Sequence, residues 1–356
     1  MTSRERVEAA LKHRQPDRTP VFEYVLLAPL ADRLLGRPYA ADPDRWPALL
    51  AEKGWKDAVR QMAIDRLDLA CLLGHDMMYL WPNPQPPSSS AAPEAPAAPQ
   101  PEDPVERLAR RNEAAAARPR APHDDSLLIY RFLKEEMARR GIDLPILAAV
   151  CTHGIWTDTD LMETMLLAPE VARRHFALCT EQSLGMVEKF VEIGLDHISV
   201  GGDFAGNRLL ISPAMYREFI VPEVRRVSRR VHEAGLWAAN ASDGNLWPVL
   251  DDFLLGCEVD GYLEIDLHAG MDLRRLKAAY GDRITFYGNL DCGNTLSFAS
   301  LEGVRRHVIE CLEAGMGDGG HILCASNAIT HSVPLENYLA VVNAYREFFS
   351  LPRFKP

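Results

Sequence analysis

Several chemistries are missing from this sequence. No strand-like segment is followed by a GxGxxG turn or a P-loop, so nothing supports a nicotinamide dinucleotide site or a phosphoryl-transferring ATPase. No CxxC pair occurs. The seven cysteines, at 71, 151, 179, 257, 292, 311 and 324, are odd in number and scattered. That pattern suggests neither a disulfide framework nor a zinc knuckle, and a reducing cytoplasm is the expected compartment. No run reaches the ~20 apolar residues of a membrane span. The charged, amphipathic start MTSRERVEAALKHR lacks the apolar core of a signal peptide. Positive charge is in deficit: the formal net charge is −11, which argues against nucleic acid or an anionic membrane as partner.

What is present is an ordinary globular composition over 356 residues, with 47% hydrophobic and 25% charged residues. The chain alternates short apolar runs with amphipathic stretches. Thr2 and Glu5 form a capping box for a first helix, and Pro16 stops it. Apolar runs that read as strands are Thr19 to Tyr24, Leu67 to Leu73, Pro145 to Cys151, Ile198 to Val200, Leu236 to Ala241, Val259 to Ile265, Arg283 to Gly288 and His321 to Ala325. Helices are expected at 31–35, 46–62, 126–140, 160–193 (broken at Pro169), 213–234, 246–255, 273–280, 301–314 and 335–349. Short, continuously apolar strands fit a parallel sheet covered on both faces, and strict alternation selects an α/β fold. The predicted architecture is a (β/α)8 TIM barrel, with an N-terminal helical extension, as one domain over 1–356. Its length lies within the range of such barrels once insertions are counted above the typical ~250 residues. The Pro/Ala-rich stretch 82–122, with its PSSSAAPEAPAAPQP run, reads as a flexible surface insertion rather than a domain boundary.

In a barrel of this kind catalytic residues lie at the C-terminal ends of the strands. The segment 196–222 shows the pattern most fully: a strand, Gly201-Gly202, then Asp203, a loop, and a helix opened by Ser212-Pro213. Asp203, Asp243, Glu264 and Asp291 each follow a strand, and Asp76 follows the 67–73 run. Carboxylates sharing a cleft raise one another's pKa values, so one can act as an acid while another stays ionised. The same groups could hold a divalent metal. Glu264, Asp266 and His268 form the most tempting ligand run. The bland alternative leaves only Glu264 pointing inward. Asp203 has its own bland reading, bonding to backbone amides of its loop, and Asp243 can equally cap the helix after it. Glu23, at the end of the first run, and His153, Trp156, Asn289, Asp291 and Asn327, after later ones, are candidate substrate-binding residues. For Trp156, rim packing is the structural alternative. Met77 to Trp81 are expected in the core, with an apolar wall for a flat ligand as the alternative.

Taken together, SRERVEAALKHRQPDRTPV, GGDFAGNRLLISPAMYREFIVPEVRRV, the DGN at 243–245, DLRRLKAAYGDRITFYGNLD and GGHILCASNAITHSVPLENYLAVV resemble the uroporphyrinogen decarboxylase superfamily. The resemblance implies a (β/α)8 barrel with a cleft at the C-terminal strand ends. It also implies one of two activities: cofactor-free decarboxylation of a porphyrinogen, or zinc-dependent methyl transfer involving a corrinoid carrier protein. A homodimer is implied as well. Two departures matter. Where the decarboxylase branch has an Arg-rich motif, this chain has Glu23-Tyr24-Val25-Leu26, which would not welcome a polycarboxylate. Where the methyltransferase branch places its zinc ligands, it has Ala241, Asp243 and Asn327, with Cys324 three residues before the last. Metal candidates are therefore Asp243, Glu264, His268 and Cys324. The favoured reading is methyl transfer from a small molecule to a corrinoid carrier, with Asp203, Asp243 and Glu264 as polar centre. Decarboxylation, with Asp76 or Asp203 stabilising a protonated intermediate and basic residues such as Arg208 in the cleft, is the alternative. A non-catalytic ligand-binding barrel is the second.

Overall fold

The computed structural model describes residues 1–87, 103–118, 121–150 and 152–355. Its centre is a curled, wholly parallel sheet of seven strands in chain order: β1 (Met78–Leu80), β2 (Ile146–Ala149), β3 (His197–Gly201), β4 (Trp237–Ala241), β5 (Gly261–Leu263), β6 (Thr285–Tyr287) and β7 (His321–Ile322). The longest pairing, β3 with β4, runs from His197 opposite Trp237 to Gly201 opposite Ala241. Helices connect successive strands and cover the outer face, as parallel pairing requires. Residues 20–27 do not form a regular strand. They run beside the end of β7, with Val21 bridged to Leu323 and Leu26 to Ile329. The Phe22 N–H donates to the Leu323 carbonyl at 3.1 Å, and on the other side the Asp76 N–H donates to the Val21 carbonyl at 2.7 Å.

Two cores follow from the two faces of the sheet. Outward residues such as Ile146, Ala148, Ile198 and Val200 pack under the helices. Inward residues, among them Phe22, Tyr24, Tyr79, Leu147, Ala149, Leu263, Tyr287 and Cys324, fill the concave interior. The first helix (Ser3–Leu11) adds Val7, Ala10 and Leu11 to this inner cluster, so it plugs the N-terminal end of the curl. Its capping box forms as expected from Thr2 and Glu5. No helix among the described residues is long and apolar enough to cross a membrane.

Besides the strand expected over Thr19 to Tyr24, which is replaced by two isolated bridges, three further elements correct the sequence reading. The run Leu67–Leu73 is the last part of a helix, Trp55–Leu73, not a strand. Its buried residues Val59, Ala63, Leu67 and Ala70 recur at helical spacing, a period that a seven-residue window hides. The helix ends at Gly74, whose left-handed φ of 76° suits glycine. The strand comes after it, at Met78, so Asp76 precedes a strand instead of following one. The helix expected over 46–62 is two helices, Trp46–Lys53 and the one from Trp55, separated at Gly54. Within the 82–122 stretch, Pro104–Ala116 is a helix. Asp103 caps it and its Leu108 is buried. Asn112 donates to the Val171 carbonyl at 3.0 Å, and Arg111 pairs with Asp158 at 2.9 Å. Most of the PSSSAAPEAPAAPQP run lies outside the described residues.

Candidate functional site

With one end of the curl plugged, the C-terminal strand ends form a cleft of about 250 Å³. Tyr79, Trp81, His153, Trp156, Gly201, Gly202, Asp203, Ala241 and Glu264 are among its lining residues. The acids come from three successive strands. Asp203 follows β3, Asp243 follows β4 and Glu264 follows β5, and one carboxylate oxygen of each lies within 4.8 Å of the others. Gly201 permits the approach of β3 to β4: a Cβ there would meet the Asn240 side-chain oxygen at 2.0 Å. The Asp243 N–H donates to the Asp203 carboxylate at 3.0 Å, tying the two loops together. The Asn327 amide donates to the other carboxylate, Asp243 Oδ2, at 2.8 Å.

Glu264 is held differently. Its backbone is left-handed, with φ of 65°, which a side chain other than glycine adopts at a cost. Its N–H donates to the Tyr24 hydroxyl at 3.1 Å. Tyr24 is in turn buried in edge contact with Tyr79, with ring centroids 5.1 Å apart. No hydrogen bond from a described residue reaches the Glu264 carboxylate, which lines the cleft. Burial and then the neighbouring charges of Asp243 and Asp203 push its pKa up to about 8. Burial, followed by Asp203 and Asp266, pushes Asp243 up to about 7, against the opposing hydrogen bond from Asn327. The cluster thus holds protons near neutrality that isolated carboxylates would have lost. His153 is buried beside the cleft, and burial lowers it to about 4, so its ring is neutral.

The remaining candidates are dispersed. Asp76 lies at the opposite, N-terminal end, fully buried, where it accepts from Arg6 at 2.7 Å, Arg18 at 2.8 Å, Ser3 at 2.9 Å and the Val21 N–H at 3.1 Å. It belongs to the clamp that seats the first helix, not to the cleft. Asp291 caps the helix at Thr295, accepting from its N–H at 3.0 Å and its hydroxyl at 2.8 Å. Asn289 is buried toward the helix layer and donates to the Met271 carbonyl at 3.1 Å. His268 is exposed, beside Asn294 and Asp291, and Asp266 accepts from the Ala269 N–H at 3.2 Å, so only Glu264 of that run joins the cluster. Cys324 is buried in the interior against Tyr24. Arg208 is exposed and does not line the cleft.

Glu23 also turns away, because period-two alternation puts Phe22 and Tyr24 inside and Glu23 outside. Its carboxylate accepts from the Ala325 N–H at 3.1 Å and the Tyr338 hydroxyl at 3.4 Å. Burial pushes its pKa from 4.5 up to about 8. The unfolded chain loses this proton near the lower value and the folded chain near the higher one. Between them the folded state binds more protons, so this group's contribution to stability falls as pH rises through the window. Glu23→Gln is therefore expected to melt like the wild type near pH 4.5 and several degrees higher at about pH 9. Thermal melts at both pH values check this. Equal melting at the higher pH would mean that Glu23 ionises without cost.

The sequence reading missed Tyr24; Tyr79 lies in the core as expected and also lines the cleft, whereas Trp81, expected in the core, is half exposed. The signal for Tyr24 was the same alternation, which assigns residues 22 and 24 to one face once the segment is known to lie beside β7.

Fold and site together define an α/β protein with a carboxylate-bearing cleft at the C-terminal ends of its parallel strands. The sequence model of the family described as uroporphyrinogen decarboxylase (URO-D) matches residues 147–348, a span that contains all three cleft acids. The chain belongs to the URO-D family. It is 23% identical over 218 residues to a uroporphyrinogen decarboxylase of Coxiella burnetii, covering 59% of this chain and 57% of the relative. It is 24% identical over 185 residues to that of Aromatoleum aromaticum, covering 50% of this chain and 49% of the relative. The chain thus spans about half the length of the curated relatives it matches. Among solved structures, a methyltransferase from Methanosarcina mazei superposes with a TM-score of 0.70 at 20% identity, covering 98% of this chain and 99% of that one. This likeness establishes the fold.

The thiolate-rich zinc site of the family's methyltransferases does not fit these residues. Ala241 offers no donor, Asn327 gives its amide to Asp243, and Cys324 is engaged with Tyr24. Among the described residues, the one group that could hold a metal ion is the all-carboxylate set Asp203, Asp243 and Glu264.

Proposed function

We propose that this chain is a (β/α)8-barrel enzyme, with residues 20–27 closing the barrel between β7 and β1. Its activity is methyl transfer from a small methylated molecule to a corrinoid held by a partner protein in the cytoplasm. A homodimer is the proposed assembly. The observation that carries the reading is the cleft itself: three converging carboxylates and no lysine or arginine among the described lining residues. A tetracarboxylate porphyrinogen would find no cationic partner among them. At about 250 Å³ the cleft also lies at the small end of ligand pockets, so it suits a small molecule. A macrocycle would have to be presented at its mouth by a second protein.

A reduced corrinoid, when bound, supplies the electron pair that accepts the methyl group. The work left to this chain is on the other side of the bond. As the bond from methyl carbon to heteroatom breaks, its electron pair stays on the heteroatom, which leaves readily only if it already carries a positive charge or receives a proton. An ionised carboxylate of the cluster pairs with such a charge, and a protonated one donates. Tyr79, Trp81 and Trp156 line the cleft beside the acids. A second reading is favoured by the 4.8 Å spacing of the carboxylate oxygens: the cluster would hold an oxygen-preferring divalent cation.

The test is incubation of the protein with reduced free corrinoid and a panel of methylated amines, ethers and thioethers, following the corrinoid's visible spectrum. Methylation with at least one donor is expected. Decarboxylation of a porphyrinogen, with no methylation, would overturn the proposal. Elemental analysis of protein purified without chelators decides the second reading. About one equivalent of metal, lost in both Asp243→Ala and Glu264→Ala, would establish it.

A further inference from the structure

The cleft has two kinds of wall. One is acidic: Asp203 and Glu264 line it, and Asp243 stands beside them, one oxygen of each of the three carboxylates within 4.8 Å of the others and each residue only partly exposed. The other is aromatic: Tyr79, Trp81 and Trp156. Trp81 and Trp156 are 49% and 50% exposed, unusual for so large an apolar ring, and both border the same cavity. Tyr79 and Trp81 meet edge to face, with ring centroids 6.1 Å apart.

Among the described residues, no lysine or arginine lines the cleft or pairs with the acids. The donors that reach them from the described residues are neutral: the Asp243 N–H to Asp203 and the Asn327 amide to Asp243. The largely buried Glu264 carboxylate accepts nothing from a described residue. Arg66, which bonds to the backbone carbonyls of Tyr24 and Tyr79, lines a separate small cavity. Carboxylates with no cationic partner among the described residues, set beside exposed aromatic rings, favour one ligand chemistry, because a cation that enters takes the place of the protons they hold near neutrality. An alkylammonium ion presents a diffuse positive charge wrapped in methyl groups, and it is attracted both to carboxylates and to ring faces.

We propose that the cleft binds a small methylated ammonium ion, its charge facing Asp203, Asp243 and Glu264 and its methyl groups against Tyr79, Trp81 and Trp156. This rests on the methyl-transfer reading and names its donor. The chemistry balances: the C–N bond breaks as the methyl carbon bonds to the electron pair that the reduced corrinoid of the methyl-transfer reading would supply, the C–N pair remains on nitrogen, the positive charge there is cancelled, and a neutral amine leaves. The carboxylates keep the nitrogen in its charged form, without which an amine is not a leaving group.

The experiment uses the full chain and the quenching of tryptophan fluorescence. Tetramethylammonium is titrated against its neutral isostere, tert-butanol, and against Mg²⁺ and Zn²⁺ alone. Saturable binding of tetramethylammonium is expected, at least tenfold tighter than the isostere. Trp156→Ala is expected to weaken it roughly threefold to thirtyfold, the range of a cation–π contact. Asp203→Asn and Glu264→Gln are expected to weaken it tenfold or more, and their melting temperatures report whether they fold. Equal binding of cation and isostere by the wild type would overturn the proposal. So would a tightly held divalent metal that tetramethylammonium cannot displace, because the acids would then be metal ligands. Binding of the ammonium without methylation of corrinoid in the presence of trimethylamine would leave this inference standing and sink the methyl-transfer reading instead. Methylation from ethers or thioethers, with no ammonium binding, would do the reverse.

Discussion

Asp76→Ala is expected to destabilise the protein by about 3–5 kcal/mol, because it leaves Arg6 and Arg18 without their buried counter-charge. The Asp76 carboxylate is fully buried and receives two guanidinium groups, a serine hydroxyl and a backbone N–H. These contacts join the first helix and the segment leading to Val21 to the start of β1. Removing the acid leaves the Arg6 side chain, itself only 6% exposed, with just Asp17 and a carbonyl as partners. Urea unfolding of Asp76→Ala and Asp76→Asn measures the loss. A loss below about 1 kcal/mol would show that water enters and solvates the arginines. Binding in the cleft is expected to survive Asp76→Asn under conditions where the variant is folded, since the carboxylate lies at the other end of the sheet.

The second large effect is on chemistry. Glu264→Gln is expected to lower kcat/KM for methyl transfer about 100-fold, the order that a buried charge partner or a general acid supplies. The pH profile distinguishes the two. The folded cluster retains protons until about pH 7 at Asp243 and about pH 8 at Glu264. A permanently charged donor must compete with those protons, so kcat/KM for it is expected to rise as pH increases through this window and level off above it. The charged neighbours that shape the rise are Asp203 and Asp266, with Tyr24 and Tyr79 as the buried phenols alongside. Glu264→Gln is expected to flatten the upper part. A rate that falls through the same window would assign the carboxyls to proton donation onto a neutral heteroatom. A flat profile would remove the cluster from both roles.

Much of the cleft was legible because strand-end position is a local property. A short apolar run, a glycine and an acid identify Asp203, and an acid at the end of an apolar run identifies Asp243 and Glu264 without knowledge of their neighbours. The helix caps at Thr2 and Ser212 were legible for a related reason, since a cap is made within a few residues of itself. Asp76 shows where local reading fails. Leu67–Leu73 is apolar enough for a buried strand or a buried helix, and only the longer spacing from Val59 onward separates them. That one misassignment moved Asp76 from the N-terminal end of a strand to the C-terminal end of an imagined one, and so from clamp to catalyst.

By itself the sequence determined the alternation of strands and helices, the parallel sheet with both faces covered, and the loops that carry acids, all consequences of hydrophobic period and turn chemistry. Only the tertiary structure decided which strand-end residues meet. Asp291, Asn289 and His268 occupy loops like those of Asp203 and Asp243, yet they turn to a helix cap, a carbonyl and the surface. Tertiary structure also decided that Tyr24 from the N-terminal segment supports Glu264 across 240 residues of chain. The direction of a side chain at a strand end depends on backbone torsions and on partners contributed by other strands, and neither is encoded in the spacing along one segment.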